Sequence, residues 1–413
     1  MSLNEKILES IKVVELANFI AAPACGRFLA DSGAEVIKVE SLGGDALRYT
    51  APTEGRPLDQ YENTTFDLEN ANKRSIALDL KNEAGKEVLF KLISDADIFL
   101  TNWRPGALKR AGLDYETLKV KYPKLVYSQI TGYGEKGPDK DLPGFDFTAF
   151  FARGGITGTL YEKGTVPMNV IPGLGDHQAG MFLAAGTMAA LYRAKMTGKG
   201  EKVSTGLFQS AIYTVGMMLQ AAQYPDHGLQ YPINRKQTQN PFLVAQKTKD
   251  DHFIQTCMPP YDLYYDRYMK AIGREDLIGD ERYSKIENLT REGRAGEMCD
   301  IVAAQLVQKD KNEWDAIFRE ADIPFAIAQT WEELLEDEQA WANDYLYKMK
   351  YDNGNTRTLV RLPVTFEETG LSKYERGPLL GENSIDILKE MGYSEEEIKA
   401  MEENKLVYKW SDK

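Results

Sequence analysis

The residues best suited to chemistry stand at the head of one stretch, IPGLGDHQAGMFLAAGTMAALYRAKMTGKG, from Ile171 to Gly200. A Pro/Gly turn leads to a single acidic residue, Asp176, and an apolar run from Met181 to Leu191 follows, with no charge until Arg193. That run is long for a strand and predicts a helix buried on most sides, with Asp176 at its N-terminus. A carboxylate there accepts backbone N–H groups and feels the positive end of the helix dipole, which predicts that Asp176 stays ionised near neutral pH. An ordinary N-cap fits this position equally well. Against a plain cap stand Ala179, where a capping box carries Glu or Gln, and Gly180 in the first turns, where glycine costs about 1 kcal/mol.

Other chemistries find few residues to carry them. The histidines are His177, His227 and His252, without HExxH or another ligand spacing, so no metal site is expected. His177 adjoins Asp176, but successive residues on a helix do not face each other, which disfavours a direct dyad. No G-x-S-x-G elbow supports a serine hydrolase, and Cys25 reads as a core residue of an apolar helix. By elimination Asp176 is the leading nucleophile or base.

The elements that must position it begin with a βαβ unit: IKVVEL (Ile11 to Leu16), a helix through CGRFLADSGA, then EVIKVE (Glu35 to Glu40). SIALDL (Ser75 to Leu80), a helix from Asn82 to Ser94 and DIFLTN (Asp97 to Asn102) make a second unit, LVYSQITGYG (Leu125 to Gly134) adds a strand, and KVSTGLFQSAIY (Lys202 to Tyr213) reads as a strand running into a helix. This alternation predicts an α/β, Rossmann-like, mostly parallel sheet covered by helices. The first βα turn, ANFIAAPACG, lacks the dinucleotide fingerprint, and no GxxxxGK[ST] loop occurs, which argues against a nicotinamide enzyme or a P-loop ATPase.

Ligands of open parallel sheets bind at the carboxyl ends of strands. Asn102, Trp103, Arg104, Lys109 and Arg110 follow one strand, while Asn72, Lys73, Arg74 and Lys81 flank another. Such a basic cluster in an acidic protein of net charge −13 suits an anionic ligand, whereas the overall charge argues against binding nucleic acid or an anionic membrane. Length predicts two domains, with 1–223 in the large one and 224–325 as a smaller α+β domain. The polar, proline-containing passage from Tyr224 to Pro241 marks the crossing. Three scattered cysteines, and no apolar leader or membrane span, place the protein in the cytoplasm.

Several long blocks then carry a resemblance. AAPACGRFLADSGAEVIKVE (Ala21 to Glu40), NKRSIALDLKNEAGK (Asn72 to Lys86), NWRPGALKRAGLDYETL (Asn102 to Leu118), GYGEKGP (Gly132 to Pro138), LGDHQAG (Leu174 to Gly180) and LLGENSIDILKEMGYSEEEI (Leu379 to Ile398) resemble the class III CoA-transferases along nearly the whole chain. NFIAAPA, DLENANKRS and DLPGFDFTAFFARGG resemble most the subgroup that acts on 2-hydroxy acids, such as phenyllactate and 2-hydroxyisocaproate, in anaerobic amino-acid fermentation.

The resemblance implies an acyl-CoA (enoyl-CoA) donor, a small apolar (R)-2-hydroxy acid as acceptor, CoA thioesters as substrates with no tightly bound cofactor, and an interlocked homodimer in which 326–413 returns to complete the large domain. It makes Asp176 the nucleophile that forms an aspartyl–acyl anhydride and then an aspartyl-CoA thioester. Gly175 and Gly180 would supply close approach and oxyanion donors, and Phe19, Ile20, Leu78, Lys81, Asn102, Trp103 and Arg110 would contact CoA. Two departures are visible: Ser41 stands where an arginine often meets the CoA phosphates, and no glycine-rich flap lies between Pro241 and Cys257. An acyl-CoA racemase of the same fold is the nearest alternative, yet Phe145 occupies the position where a racemase commonly has its histidine, and phenylalanine moves no proton. A non-catalytic CoA-binding partner of a dehydratase is another, against which the retained Asp176 argues.

Overall fold

The computed structural model describes residues 6–224 and 231–411; His227 lies outside them, as does part of the Tyr224–Pro241 passage. Two compact units divide the chain. The larger comprises residues 1–156, 170–215 and 338–413, and the smaller residues 157–169 and 216–337. These bounds widen the 224–325 expected for the smaller unit: the strand Phe325–Ile327 pairs with Phe253–Thr256 inside it.

Six parallel strands form the centre of the larger unit: β1 (Lys12–Leu16), β2 (Glu35–Glu40), β3 (Arg74–Leu78), β4 (Ile98–Thr101), β5 (Val126–Thr131) and β6 (Lys202–Gly206). Their order is β3-β2-β1-β4-β5-β6, so the chain moves outward from β1 first to one side and then to the other. Val407–Tyr408 adds an antiparallel edge strand against β3. Every residue of β4 is buried, as is all of β1 after Lys12, because helices cover both faces; neither strand shows the in-out alternation of a half-exposed sheet.

One face carries α1 (Ala21–Asp31) and the long helix 174–197; Leu29, Leu183, Leu191, Val13 and Leu100 belong to its core. The other is covered chiefly by the helix Glu83–Ser94 and by Ser384–Glu390; Val88, Leu92, Phe99 and Leu388 belong to that core. Pro23 sits in the first turn of α1, where its missing N–H costs nothing. α2 (Thr64–Asn70) is capped by the Asn63 side chain, which accepts from the Phe66 N–H at 3.2 Å.

Asn72 and Lys73 precede β3 and Arg74 opens it, so all three sit at its amino end, away from the strand ends where ligands bind. Lys73 is buried and donates to Glu15 Oε2 (2.7 Å), the Pro23 carbonyl and Asn70; Arg74 pairs with Glu35 and Glu390; Asn72 donates to Asp31. They are structural, which corrects their assignment to a ligand-binding cluster. In the smaller unit a three-stranded antiparallel sheet, Gln246–Lys247, Phe253–Thr256 and Phe325–Ile327, accompanies helices whose core includes Tyr261, Tyr265, Tyr268, Trp314 and Phe318.

Candidate active site

Helix 174–197, α3 from here on, starts on Gly173, whose φ of 86° is left-handed and available without strain to glycine. Asp176 is thus its third residue, not its N-cap, and no side chain caps the helix. Only part of α3 is buried: Leu183, Ala184, Thr187, Ala190 and Leu191 face the core, while Tyr192 and Met196 are 70% and 68% exposed.

Three titratable side chains surround Asp176. Asp146, 5% exposed, opens a π-helical stretch, Asp146–Ala152, and its Oδ1 accepts from the Gly175 N–H at 3.2 Å. Its Oδ2 is buried without a hydrogen-bond partner among the described residues. Glu69, on α2 and 1% exposed, lies with Oε1 2.7 Å from His177 Nε2. Asp146 and Glu69 lie within DLPGFDFTAFFARGG and DLENANKRS, where nothing local in the sequence marks them as partners of Asp176.

Burial first, and then the charges of Asp146 and Glu69, push the Asp176 carboxyl up to about 7, with His177 opposing. This overturns the expectation of a dipole-stabilised low value: in a crowd of carboxylates removed from water, desolvation and like charge outweigh the helix terminus. Burial likewise raises Asp146 to about 6, against the Gly173 and Gly175 N–H groups. Burial works against the His177 imidazolium, but the hydrogen bond and charge of Glu69, followed by Asp176 and Asp146, raise its pKa. A carboxylate held near neutrality is more basic, hence more nucleophilic, than an exposed one.

The two glycines have steric roles. A Cβ on Gly175 would stand 2.2 Å from Phe150 Cγ and 2.4 Å from Asp146 Oδ1, and one on Gly180 would stand 2.6 Å from the Ala21 carbonyl and 2.9 Å from Ala24 Cβ. They allow α3 to approach the Asp146 stretch and α1. The close approach is between protein elements, and the Gly175 N–H is already taken by Asp146, so Gly175 is not the free oxyanion donor expected of it.

A cleft of about 320 Å³ opens at the carboxyl ends of β1, β4 and β5, lined by Phe19, Asn102, Trp103, Arg104, Lys140 and Phe145 among others. Asp176 is not in the lining; Phe145 is, and the next residue is Asp146. The Phe19 and Phe145 rings meet edge to face with centroids 5.7 Å apart. Ile20 Cδ1 would lie 3.6 Å from a Cβ on Gly173 and so borders the start of α3. Of the expected contacts, Phe19, Asn102 and Trp103 line this cleft and Ile20 adjoins Asp176's turn. Leu78, Lys81 and Arg110 do not line it: the Leu78 side chain is buried in the core, and Lys81 and Arg110 are exposed. Asn102 is also engaged internally, donating to the Asn18 carbonyl at 2.6 Å and accepting from the Asn18 N–H at 3.1 Å. Arg104 and Lys140 supply positive charge to the lining, while Ser41 is exposed with only a hydroxyl to offer.

Phe19 is itself held in a left-handed conformation, φ 62°. Its N–H donates to Asp45 Oδ1 at 2.9 Å, and Asp45 Oδ2 lies 3.0 Å from Lys38 Nζ, which also meets Glu15 at 3.0 Å. Glu15 in turn binds Lys73. All four charged groups are buried, so each satisfies another that would be costly alone. A larger cavity of about 570 Å³, around Arg48, Tyr61, Phe66 and Leu380, includes none of the residues at Asp176. Among the described residues no group of His, Cys, Asp and Glu could hold a metal ion, and no helix is long and apolar enough to cross a membrane.

Residues 8–384 match the family described as CoA-transferase family III. The chain is 68% identical over 405 residues to cinnamoyl-CoA:phenyllactate CoA-transferase of Clostridium sporogenes, covering 98% of each chain. It is 45% identical over 401 residues to (R)-2-hydroxy-4-methylpentanoate CoA-transferase of Clostridioides difficile, covering 97% of this chain and 99% of that one. A solved structure of a CAIB/BAIF family protein from Brucella suis superposes with a TM-score of 0.78 at 28% identity, over 94% of this chain and 100% of that one.

Proposed function

Because the chain belongs to CoA-transferase family III, we propose that it moves CoA from an unsaturated acyl-CoA such as cinnamoyl-CoA to an apolar (R)-2-hydroxy acid, with phenyllactate as the acceptor it fits first. The 68% identity to an enzyme named for that pair supports the substrate choice over oxalate, and the 45% identity to the 2-hydroxy-4-methylpentanoate enzyme supports the wider class. For the chemistry, the carrying observation is Asp176: a mostly buried carboxylate whose surroundings raise it to about 7.

In this reading a carboxylate oxygen of Asp176 attacks the thioester carbonyl, the C–S bond breaks, and CoA thiolate leaves with the electron pair. Thiolate then attacks the aspartyl carbonyl of the mixed anhydride, releasing the donor acid and leaving an aspartyl-CoA thioester. The acceptor carboxylate attacks that thioester, forming a second anhydride and thiolate again. Thiolate finally attacks the acceptor's carbonyl, giving the new acyl-CoA and restoring Asp176. No proton is gained or lost overall, and the thioester's free energy is conserved through each covalent step. Phe19, Asn102, Trp103, Arg104 and Lys140 would hold the CoA moiety at the cleft, and the substrate is the only CoA needed.

We further read the protein as a cytoplasmic homodimer. Its cysteines, Cys25, Cys257 and Cys299, are free, and α3 presents Tyr192 and Met196 outward, apolar surface that a second copy would cover. Transfer assays with cinnamoyl-CoA against phenyllactate, 2-hydroxyisocaproate and oxalate, combined with hydroxylamine trapping and peptide mass mapping, test the proposal. Preference for oxalate would overturn the substrate, and an unmodified Asp176 together with undiminished transfer by Asp176→Ala would overturn the mechanism.

A further inference from the structure

We propose that Glu69 and His177 act as a positioning pair, Glu69 fixing the imidazole so that a positive charge stays beside Asp176 and lets it react as an anion among carboxylates. The inference rests on reading Asp176 as the nucleophile, and it concerns how that nucleophile is made available.

The geometry is specific. His177 Nε2 lies 2.7 Å from Glu69 Oε1, and Glu69 is itself buried, so the carboxylate has lost water and gains most from an imidazolium partner. The His177 side chain keeps 43% of its exposure, whereas that of Glu69 keeps 2%: one end of the pair is anchored and the other is partly solvent-exposed. Gly173 makes room for the ring, since a Cβ there would stand 3.3 Å from His177 Cε1. The ring is turned to α2 and not toward Asp176, so no hydrogen bond is required between the neighbours, and the influence of His177 on Asp176 is that of a charge.

The charges around the site make that influence matter. From the π-helical stretch Asp146 faces Asp176, and from α2 Glu69 does; both are negative. Asp67, also on α2, is bound to Tyr351 and the Gly377 N–H. From α1, Cys25 is turned to Thr187 and Arg27 is bound to Asp31 and α2 carbonyls. Lys73 bears on Glu69 but its ammonium is held by Glu15, Pro23 and Asn70. From β5, Ser128 meets Thr187, and from the helix Leu207–Thr214, Thr214 donates to Gln178 and Tyr213 packs on Phe182; none is charged. Of the charged groups acting on Asp176, Asp146 and Glu69 are negative and His177 is positive. Without that cation, burial and two like charges would favour the protonated, unreactive acid.

Two measurements decide it. The C2–H proton resonance of His177, assigned among the three histidines as the one retained when His227 and His252 are both replaced by Gln, is expected to titrate with a midpoint above 6.5; a midpoint at or below 6.5 overturns the proposal even if no variant at His177 itself folds. The initial rate of hydroxylamine-trapped labelling of Asp176 by cinnamoyl-CoA is then followed against pH. His177→Gln is expected to move the acid midpoint up by about one pH unit, roughly tenfold slower labelling near pH 6, with the plateau retained at higher pH. His177→Lys, which restores a cation, is expected to return the midpoint toward wild type. An unmoved midpoint in His177→Gln, or a loss of rate that is uniform in pH, overturns the positioning role. Labelling that persists in Asp176→Asn would instead overturn the nucleophile assignment on which it rests.

Discussion

The Asp45 Oδ1 accepts a hydrogen bond from the backbone N–H of Phe19 at 2.9 Å, so a fully buried carboxylate fixes the left-handed turn that carries an aromatic ring into the cleft wall. Phe19 is bulky for a positive φ, and Asp45 is held in place by Lys38.

Asp45→Ala removes both the turn's acceptor and one partner of buried Lys38. It is expected to cost about 3 kcal/mol or more of stability, the penalty for breaking a buried ion pair. Among molecules that fold, the KM for acyl-CoA rises more than kcat falls, because the ring is displaced and the nucleophile is untouched. Denaturant unfolding and steady-state kinetics check both parts.

Asp146→Asn keeps an oxygen for the Gly175 N–H but removes a negative charge beside Asp176. The acid limb of kcat/KM is expected to move down by about one pH unit, opposite in direction to His177→Gln. A pH–rate series from weakly acid to weakly alkaline conditions reads the sign directly.

Asp176→Asn abolishes transfer, and its stability effect has a definite sign. The carboxyl is raised in the folded protein, from 3.8 to about 7, so folding is favoured where the acid is protonated, and that stabilisation is lost as pH rises toward 7. Removing the charge should therefore stabilise the variant over wild type above about pH 7, and leave the two closely matched near pH 4. Thermal unfolding at the two extremes measures it.

Gly175→Ala and Gly180→Ala each place a methyl inside van der Waals contact with neighbouring elements: 2.2 Å from Phe150 Cγ in the first, 2.6 Å from the Ala21 carbonyl in the second. Overpacking of this kind costs about 1–3 kcal/mol. Gly175→Ala should also lower kcat sharply, since it drives apart the segments bearing Asp146 and Asp176, whereas Gly180→Ala should act first on stability. Unfolding midpoints and kcat for the pair separate the two roles.

Much of this was legible beforehand. Strands β1 to β6 announced themselves as short β-branched runs between helices, and Asp176 stood out because nucleophiles of other kinds were absent. Its environment was not legible, since Glu69 lies 108 positions before His177, and Asp146 29 before Gly175, separations that periodicity does not span. The protonation behaviour of Asp176 is consequently opposite to what its helix position predicts: that position is a local signal, while burial beside two carboxylates is tertiary. Lys73 is hidden for a related reason. A lysine next to a strand looks solvated until Glu15, far away in sequence, is found beneath it.

The edge strand Val407–Tyr408, laid antiparallel on β3, and the helix Ser384–Glu390, whose Ser384 donates to the Tyr408 carbonyl, bear on how the molecule is born. Residues translated more than 300 positions apart must meet before the sheet's β3 side is covered; the Ser75 N–H, for instance, donates to Asn383. On the ribosome the smaller unit emerges whole while the larger one still lacks a flank. A bare strand edge invites pairing with another nascent chain. Yield during rapid synthesis should depend on the last stretch of the polypeptide far more than its distance from Asp176 would suggest.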